Sequence, residues 1–282
     1  MEDSVVLRGS LRDLGYVEGR NVTLEIRTTR QTPERIDDLA QELVRLPVDI
    51  IVATHPAAVF SARRATATIP IVMVHTPDPV ELGLVKSLAR PGGNITGVTS
   101  LSVDVSVKQL QILREVVPMA ARVAMLWNPD NPWHPLVVKG LRERPLGVQI
   151  RMVEVRGAGD LEKAFETVVR GGAGAVLALA DPMMFSHRRV LAHLAVRHRL
   201  PLMGGLRAYT QAGALMSYWA DEQELVRRAA TYVDRILKGA HPGALPIEQP
   251  SKYDLIVNVT TARALGLTIP PSLLLQADEV IE

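Results

Sequence analysis

The chain has no cysteine among its 282 residues, which excludes a disulfide framework, a thiolate nucleophile and any cysteine-ligated metal. Aromatic residues make up only 4% of it, so the core must be built from Ala, Val and Leu. Charge of one sign is also lacking: 32 Lys plus Arg against 30 Asp plus Glu leave a net +2, a slim excess that argues against a dedicated nucleic-acid binder. No apolar run reaches the roughly 18 to 20 residues that a transmembrane helix needs. The start, Met1-Glu2-Asp3-Ser4-Val5-Val6, has neither a basic n-region nor an apolar h-region, so this sequence carries no readable signal peptide. What is there is 47% hydrophobic and 22% charged, the profile of a globular protein. At roughly 100 to 200 residues per domain, the length points to two domains.

Short β-rich runs alternate with amphipathic helical stretches from end to end, which predicts an α/β fold of parallel sheet flanked by helices. Expected strands are 22–26, 49–53, 69–74, 95–99, 122–127, 149–155, 175–180, 200–204, 214–218 and about 253–257. Helix punctuation lies between them. Thr32-Pro33-Glu34 opens one helix, Asp160 caps a second that Gly171 ends, and Asp221 with Glu224 forms a capping-box pattern ahead of a third. The first series of units ends near Pro91-Gly92-Gly93-Asn94, and the proline-rich stretch 238–250 reads as another connection. Two Rossmann-like lobes are therefore expected, one from 1–100 plus 221–246 and the other from 101–220 plus 247–282.

In open α/β sheets, ligands bind beyond the carboxyl ends of the strands. Four junctions there share a pattern of a polar residue followed by proline: Thr54-His55-Pro56-Ala57, Thr76-Pro77-Asp78-Pro79, Asn128-Pro129-Asp130-Asn131 and Asp181-Pro182. Each taken singly also reads as ordinary helix initiation; four together point to a site. A helix opening at Pro56, beside the small Ala57 and Ala58, suits a carboxylate. Asp181 or Asp78 suits an ammonium group, and Trp133, Met183, Met184 and Phe185 are candidates to wrap an apolar side chain. These complementary charges fit a zwitterionic amino acid.

Enzymatic motifs are missing: there is no P-loop, no G-x-G-x-x-G after a strand, no G-x-S-x-G and no H-E-x-x-H. Gly171-Gly172-Ala173-Gly174 follows a helix and precedes a strand, the wrong context for cradling a phosphate, and reads as a C-cap and turn. His187, His193 and His198 sit at spacings of six and five, which point in different directions on one helix, so no metal site is expected. No cofactor is expected either, and the chain reads as a non-enzyme.

Longer stretches carry a resemblance. Leu11-Arg12-Asp13-Leu14-Gly15-Tyr16-Val17-Glu18-Gly19-Arg20-Asn21-Val22, Ala89-Arg90-Pro91-Gly92-Gly93-Asn94-Ile95-Thr96-Gly97, Val123-Ala124-Met125-Leu126-Trp127-Asn128-Pro129 and Ala264-Leu265-Gly266-Leu267-Thr268-Ile269-Pro270-Pro271-Ser272 resemble the ABC transporter substrate-binding proteins related to the tryptophan/tyrosine-binding lipoproteins. The resemblance implies a type I periplasmic-binding-protein fold that closes by a hinge on a small ligand held between its lobes, with a membrane permease as partner. The ligand it implies is an amino acid, aromatic or otherwise, or a related small molecule. It places the ligand's carboxylate on Thr54, His55, Pro56, Ala57 and Ala58 and on His75, Thr76 and Asp78. It places the ammonium on Asp181, with Asn128, Phe185 and Gly205 nearby. The implied location is periplasmic or membrane-anchored outside the cytoplasm when full-length.

The same resemblance implies that the first N-lobe strand is missing ahead of the Arg12-to-Tyr16 helix. That would leave unpaired backbone on 22–26 and 49–53, to be covered by 5–7 or by another chain in an oligomer. A ligand-sensing receptor module of the same fold and a non-binding truncated copy are the alternatives.

Overall fold

The computed structural model describes residues 2–28, 35–100, 102–144 and 146–282. It divides into two compact units, 1–101 with 220–252 and 102–219 with 253–282.

The first unit carries α1 (Glu2–Asp13), α2 (Ile36–Arg45), β1 (Ile51–Ala53), α3 (Pro56–Ala65), β2 (Ile71–Pro77), β3 (Ile95–Ser100) and α10 (Glu222–Leu237). Its sheet has three parallel strands in the order β1-β2-β3. Ile71 and Met73 of β2 pack with Val59 and Ala62 of α3, while Val72 and Val74 are fully buried at the alternate positions. α10 covers β2 and β3, and α1 lies on α10. Tyr16, just past α1, donates its hydroxyl to Asp234 of α10 at 3.0 Å. The second passage through this unit runs on to Lys252, since Ile247 N–H still donates to Leu88 O and Glu248 N–H to Gly97 O.

The expected strand at 22–26 does not form. After a single bridge between Glu18 and Val22 the chain runs on without regular secondary structure, and Ile26 stays 50% exposed. A strand is a property of a pair, and among the described residues no strand pairs with this segment beyond the single bridge; β1 likewise pairs only with β2. Residues 29–34, on which the Thr32-Pro33-Glu34 helix start falls, lie outside the described residues.

The second unit carries α4 (Ser102–Val116), β4 (Arg122–Trp127), α5 (His134–Arg142), β5 (Gln149–Glu154), α6 (Leu161–Arg170), β6 (Ala175–Ala178), α7 (Pro182–Ser186), α8 (Arg188–Arg197), β7 (Leu202–Gly204), α9 (Arg207–Gln211), β8 (Met216–Ala220), β9 (Tyr253–Asn258), α11 (Val259–Ala264), α12 (Pro271–Gln276) and β10 (Glu279–Ile281). Its sheet is seven-stranded, in the order β10-β9-β8-β7-β6-β4-β5. Alternate residues of β4 feed two cores: Val123 and Met125 meet Leu110, Leu113 and Val137, while Ala124 and Leu126 meet Leu161, Phe165 and Leu194.

Two caps differ in detail from the sequence reading. Asp160 precedes α6, but its carboxylate accepts from Arg156 and Gly157 N–H and not from the helix behind it. Asp221 does cap α10 through Glu224 N–H at 3.0 Å. The Glu224 side chain turns away to Arg228 and Ser251, so only half of a capping box forms.

Candidate functional site

In the first unit, the turns after β1 and β2 hold the expected residues. His55 stands at the N-cap of α3, with Pro56 in the first turn and no side chain capping the helix. Thr54 and Ala58 are half-buried, Pro56 is buried and Ala57 is exposed. β2 breaks register with β3 between Met73 and Thr76, and this irregularity turns His75 into a left-handed backbone conformation at φ 54°. Asp78 follows at φ 39°. Non-glycine residues occupy that region at a cost, of order 1 kcal/mol or more, which surrounding structure must offset.

Both ring nitrogens of His75 are buried and without a hydrogen-bond partner. Burial holds its pKa down at about 4, with His55 pushing the same way and Asp3 of α1 opposing. Burial also lowers the His55 pKa, again against the pull of Asp3. His55 keeps part of its surface accessible, so its ring is only partly withdrawn from water. Thr76 reaches the expected turn, but its polar atoms are turned to the protein. It is fully buried, its hydroxyl donates weakly to Val74 O at 3.4 Å and its carbonyl accepts from Thr99.

In the second unit, the tips of β4 and β6 converge. Asp181 is buried and caps α7 by accepting Met184 N–H on Oδ1 at 3.0 Å. Its Oδ2 accepts from Asn131 Nδ2 at 2.8 Å and Asn128 Nδ2 at 3.3 Å. Beneath them lies His134, 1% exposed. Its Nδ1 accepts Asn128 N–H at 2.9 Å and its Nε2 lies 3.0 Å from Ala180 O, a pairing that assigns the neutral tautomer protonated on Nε2. Burial lowers its pKa, with the bond to Ala180 O and the charge of Asp181 acting in opposition.

Phe185 on α7 lies edge-on to Tyr209, with centroids 6.1 Å apart, and the Arg188 guanidinium stacks 4.5 Å above its ring. The Tyr209 hydroxyl is buried without a partner; burial first, and then Asp181, raise its pKa, while Arg188 opposes. Gly205 is buried against the Trp219 ring. Of the residues expected to wrap an apolar side chain, Met184 is instead core, fully buried beside Phe165 and Leu191. Trp133 packs from the edge of the other core. His134, Tyr209 and Arg188 were not among the expected site residues, and Asn131 was expected only as part of its junction and not as a ligand contact. His187 and His198 flank α8 as its caps, so the three histidines do not share one helix; no metal-holding group of three is found among the described residues.

The family described as ABC transporter substrate binding protein matches residues 5–281. The chain belongs to that family. A tyrosine-binding protein of Clostridioides difficile is 26% identical over 261 residues, covering 92% of this chain and 74% of the relative. A solved conserved domain protein of Vibrio cholerae superposes with a TM-score of 0.91 at 27% identity, covering 99% of this chain and 94% of the other. An ABC domain from Streptococcus pneumonia in complex with L-Trp gives a TM-score of 0.90 at 22% identity and the same coverages. The fold is that of the type I periplasmic binding proteins.

The family is one of substrate-binding proteins of ABC transporters. Among the described residues no helix is long and apolar enough to cross a membrane. Within the family frame, the two sets of strand-tip turns differ in chemistry. One presents imidazoles and an uncapped helix start, the other a buried carboxylate with amide and phenol neighbours.

Proposed function

We propose that the chain is the solute-binding component of an ABC importer, that its ligand is an amino acid, and that an aromatic one is the first to test. The reading rests most on the buried Tyr209 hydroxyl beside Asp181, a donor with no protein partner next to three side chains, Asn128, Asn131 and Asp181, that are bonded to one another. Buried polar groups are nearly always satisfied, and one left open at a strand tip is best explained by a ligand.

In this reading Asp181 takes the ammonium. A carboxylate offers about four lone-pair sites, three of which accept Met184 N–H, Asn131 and Asn128. The Tyr209 hydroxyl meets a second polar atom of the ligand, and Phe185 with Arg188 faces its side chain. The carboxylate goes to the uncapped start of α3 and to the unpartnered His75, so that each unit supplies one end of the clamp and ligand contact favours closure of one upon the other. The permease partner and an extracytoplasmic location belong to the same proposal, supported by family membership. The tyrosine-binding relative and the tryptophan-bound structure favour an aromatic ligand. No catalytic step is required.

Calorimetric titration with the twenty amino acids, repeated on Tyr209→Phe, tests this. The expected result is saturable binding of one amino acid class, weakened about tenfold by loss of the hydroxyl with the fold intact, since that hydroxyl has no protein partner to lose. No binding by the parent chain, or unchanged affinity in Tyr209→Phe, would sink the assignment of that residue.

A further inference from the structure

At the other end of the second unit's sheet, where β4 and β5 begin, three arginines gather around one hollow. Arg122 opens β4, Arg151 lies near the start of β5, and Arg170 is the last residue of α6. In the register of the sheet Arg122 lies opposite Gln149, and Ala124 opposite Arg151. Both arginines therefore project on the face that α6 covers. With Gln149, Ile150 and Gly171 they line a concavity of about 510 Å³.

The guanidinium ends lie close over the Gly171-Gly172 turn. A Cβ on Gly171 would lie 2.4 Å from Arg151 Nη1 and 2.7 Å from its Cζ, and one on Gly172 would lie 3.2 Å from Arg122 Nη1. Gly172 also needs its freedom for φ 63°.

The charges are not neutralised within the chain. None of the three guanidiniums lies within ion-pair distance of a carboxylate among the described residues. Their hydrogen bonds are few: Arg122 donates to Gln149 Oε1 at 2.9 Å and weakly to Gly171 O at 3.5 Å, and Arg170 weakly to Thr167 Oγ1 at 3.5 Å. The carbonyl end of α6 contributes about half a negative charge, against three full positive ones, so most of the positive charge stays unanswered.

We propose that this hollow is an anion site for a phosphate-type group, with Arg122, Arg151 and Arg170 as its ligands. A guanidinium presents a planar fork that matches two phosphate oxygens. Three forks on separate elements surround a tetrahedral anion better than a planar carboxylate. The phosphate comes either from a soluble compound or from the headgroups of an anionic phospholipid surface, and both present the same oxygens. The site is separate in the second unit from the strand tips where the solute is proposed to bind, so it does not depend on that reading.

The test has two arms on the full chain at low ionic strength. Inorganic pyrophosphate is titrated calorimetrically into the parent protein and into the double variant Arg151→Gln/Arg170→Gln. Flotation of both is measured with phosphatidylglycerol vesicles and with phosphatidylcholine vesicles. The expected result is binding by the parent that falls at least tenfold in the double variant, and by less in Arg151→Lys, which keeps the charge and loses the fork. Binding in the pyrophosphate arm alone assigns a soluble phosphate, and selective flotation with phosphatidylglycerol assigns the lipid surface. Absence of binding in both arms, equal binding by the double variant, or malonate binding as tightly as pyrophosphate would overturn the proposal. Should the double variant melt early, Arg170→Gln alone carries the comparison, because Arg170 is exposed at the helix end.

Discussion

The two units solve the same problem, polar groups at the tips of parallel strands, in opposite ways. In the second unit the groups satisfy one another: His134 ties Asn128 N–H to Ala180 O, and Asp181 collects Asn128, Asn131 and Met184. In the first, His75 is held in a left-handed conformation with both ring nitrogens unpartnered, on a sheet of three strands against seven. A turn knitted by its own hydrogen bonds presents its carboxylate in a fixed place before any ligand arrives. A turn that keeps an unpartnered imidazole and an uncommon backbone conformation has interactions still to gain when one does.

The comparison is most sharply broken through the backbone of the smaller sheet. Gly97 of β3 passes so close to β2 that a Cβ would lie 2.2 Å from Met73 O and 2.7 Å from Met73 N, at φ 129°. Backbone cannot step aside, so Gly97→Ala is expected to cost about 4 kcal/mol. Gly204→Ala in the larger sheet meets the Tyr209 ring instead, 2.4 Å from its Cγ. Cγ and Cβ are the root of a buried side chain and move only with the short helix α9, which yields more readily than a paired strand, so about 3 kcal/mol is expected there. Urea unfolding of the two variants decides the order; equal losses would mean that the small sheet yields as easily as the large one.

Asp181→Ala comes next. It strands the amides of Asn128 and Asn131 and the N–H of Met184, and at about 1 to 3 kcal/mol for each buried donor left open, partly relieved by water, a loss of about 3 kcal/mol is expected. Thermal unfolding checks it. A loss below about 1 kcal/mol would show that the network is not what organises these turns. Because this variant damages the scaffold, it is a poor reporter of ligand contact, and Tyr209→Phe is the better one.

These residues also show where the sequence could be read and where it could not. Asp181 was legible because a polar residue before proline at a strand end is a local helix-start signal, and β4 was legible to the residue because Val123 to Trp127 is an unbroken apolar run. His134 was not: its partners stand six and forty-six positions away, and nothing near it in the chain announces Ala180 O. Tyr209 sits in a helix of five residues, too short for a periodic pattern to place its ring beside Phe185. The run 22–26 misled for the complementary reason, since its composition is that of a strand while ladder formation depends on a pairing partner that composition does not describe.

Acid separates the two units by a smaller amount. A histidine whose folded pKa lies below its unfolded value of about 6.5 stabilises the fold fully above 6.5, and that contribution is lost as the pH falls through the folded pKa, because the unfolded chain takes up the proton first. For His75 the window runs from 6.5 down to about 4, at no more than about 1.4 kcal/mol per pH unit. His55 adds in the same direction in the first unit, and His134 does so in the second. Stability measured from pH 7 to pH 4 should therefore fall less steeply in His75→Gln than in the parent, with a smaller flattening in His134→Gln. Parallel curves for His75→Gln and the parent would remove His75 as the acid-sensitive group.

The smallest expected change in stability belongs to Tyr209→Phe, and its smallness makes it informative. The ring is 2% exposed and its hydroxyl has no partner, so the substitution removes an unsatisfied buried group while keeping the packing against Phe185. Stability should stay within about 0.5 kcal/mol of the parent or rise slightly, as thermal melts would record. Asn128, Asn131, His134 and Asp181 are by contrast spent on the protein, and deleting one injures the fold and the site together. A drop of about 1 kcal/mol or more in this variant would mean that the hydroxyl is bonded within the protein after all. The argument for a ligand would then pass from Tyr209 to His75 of the first unit, whose two ring nitrogens are buried without a partner.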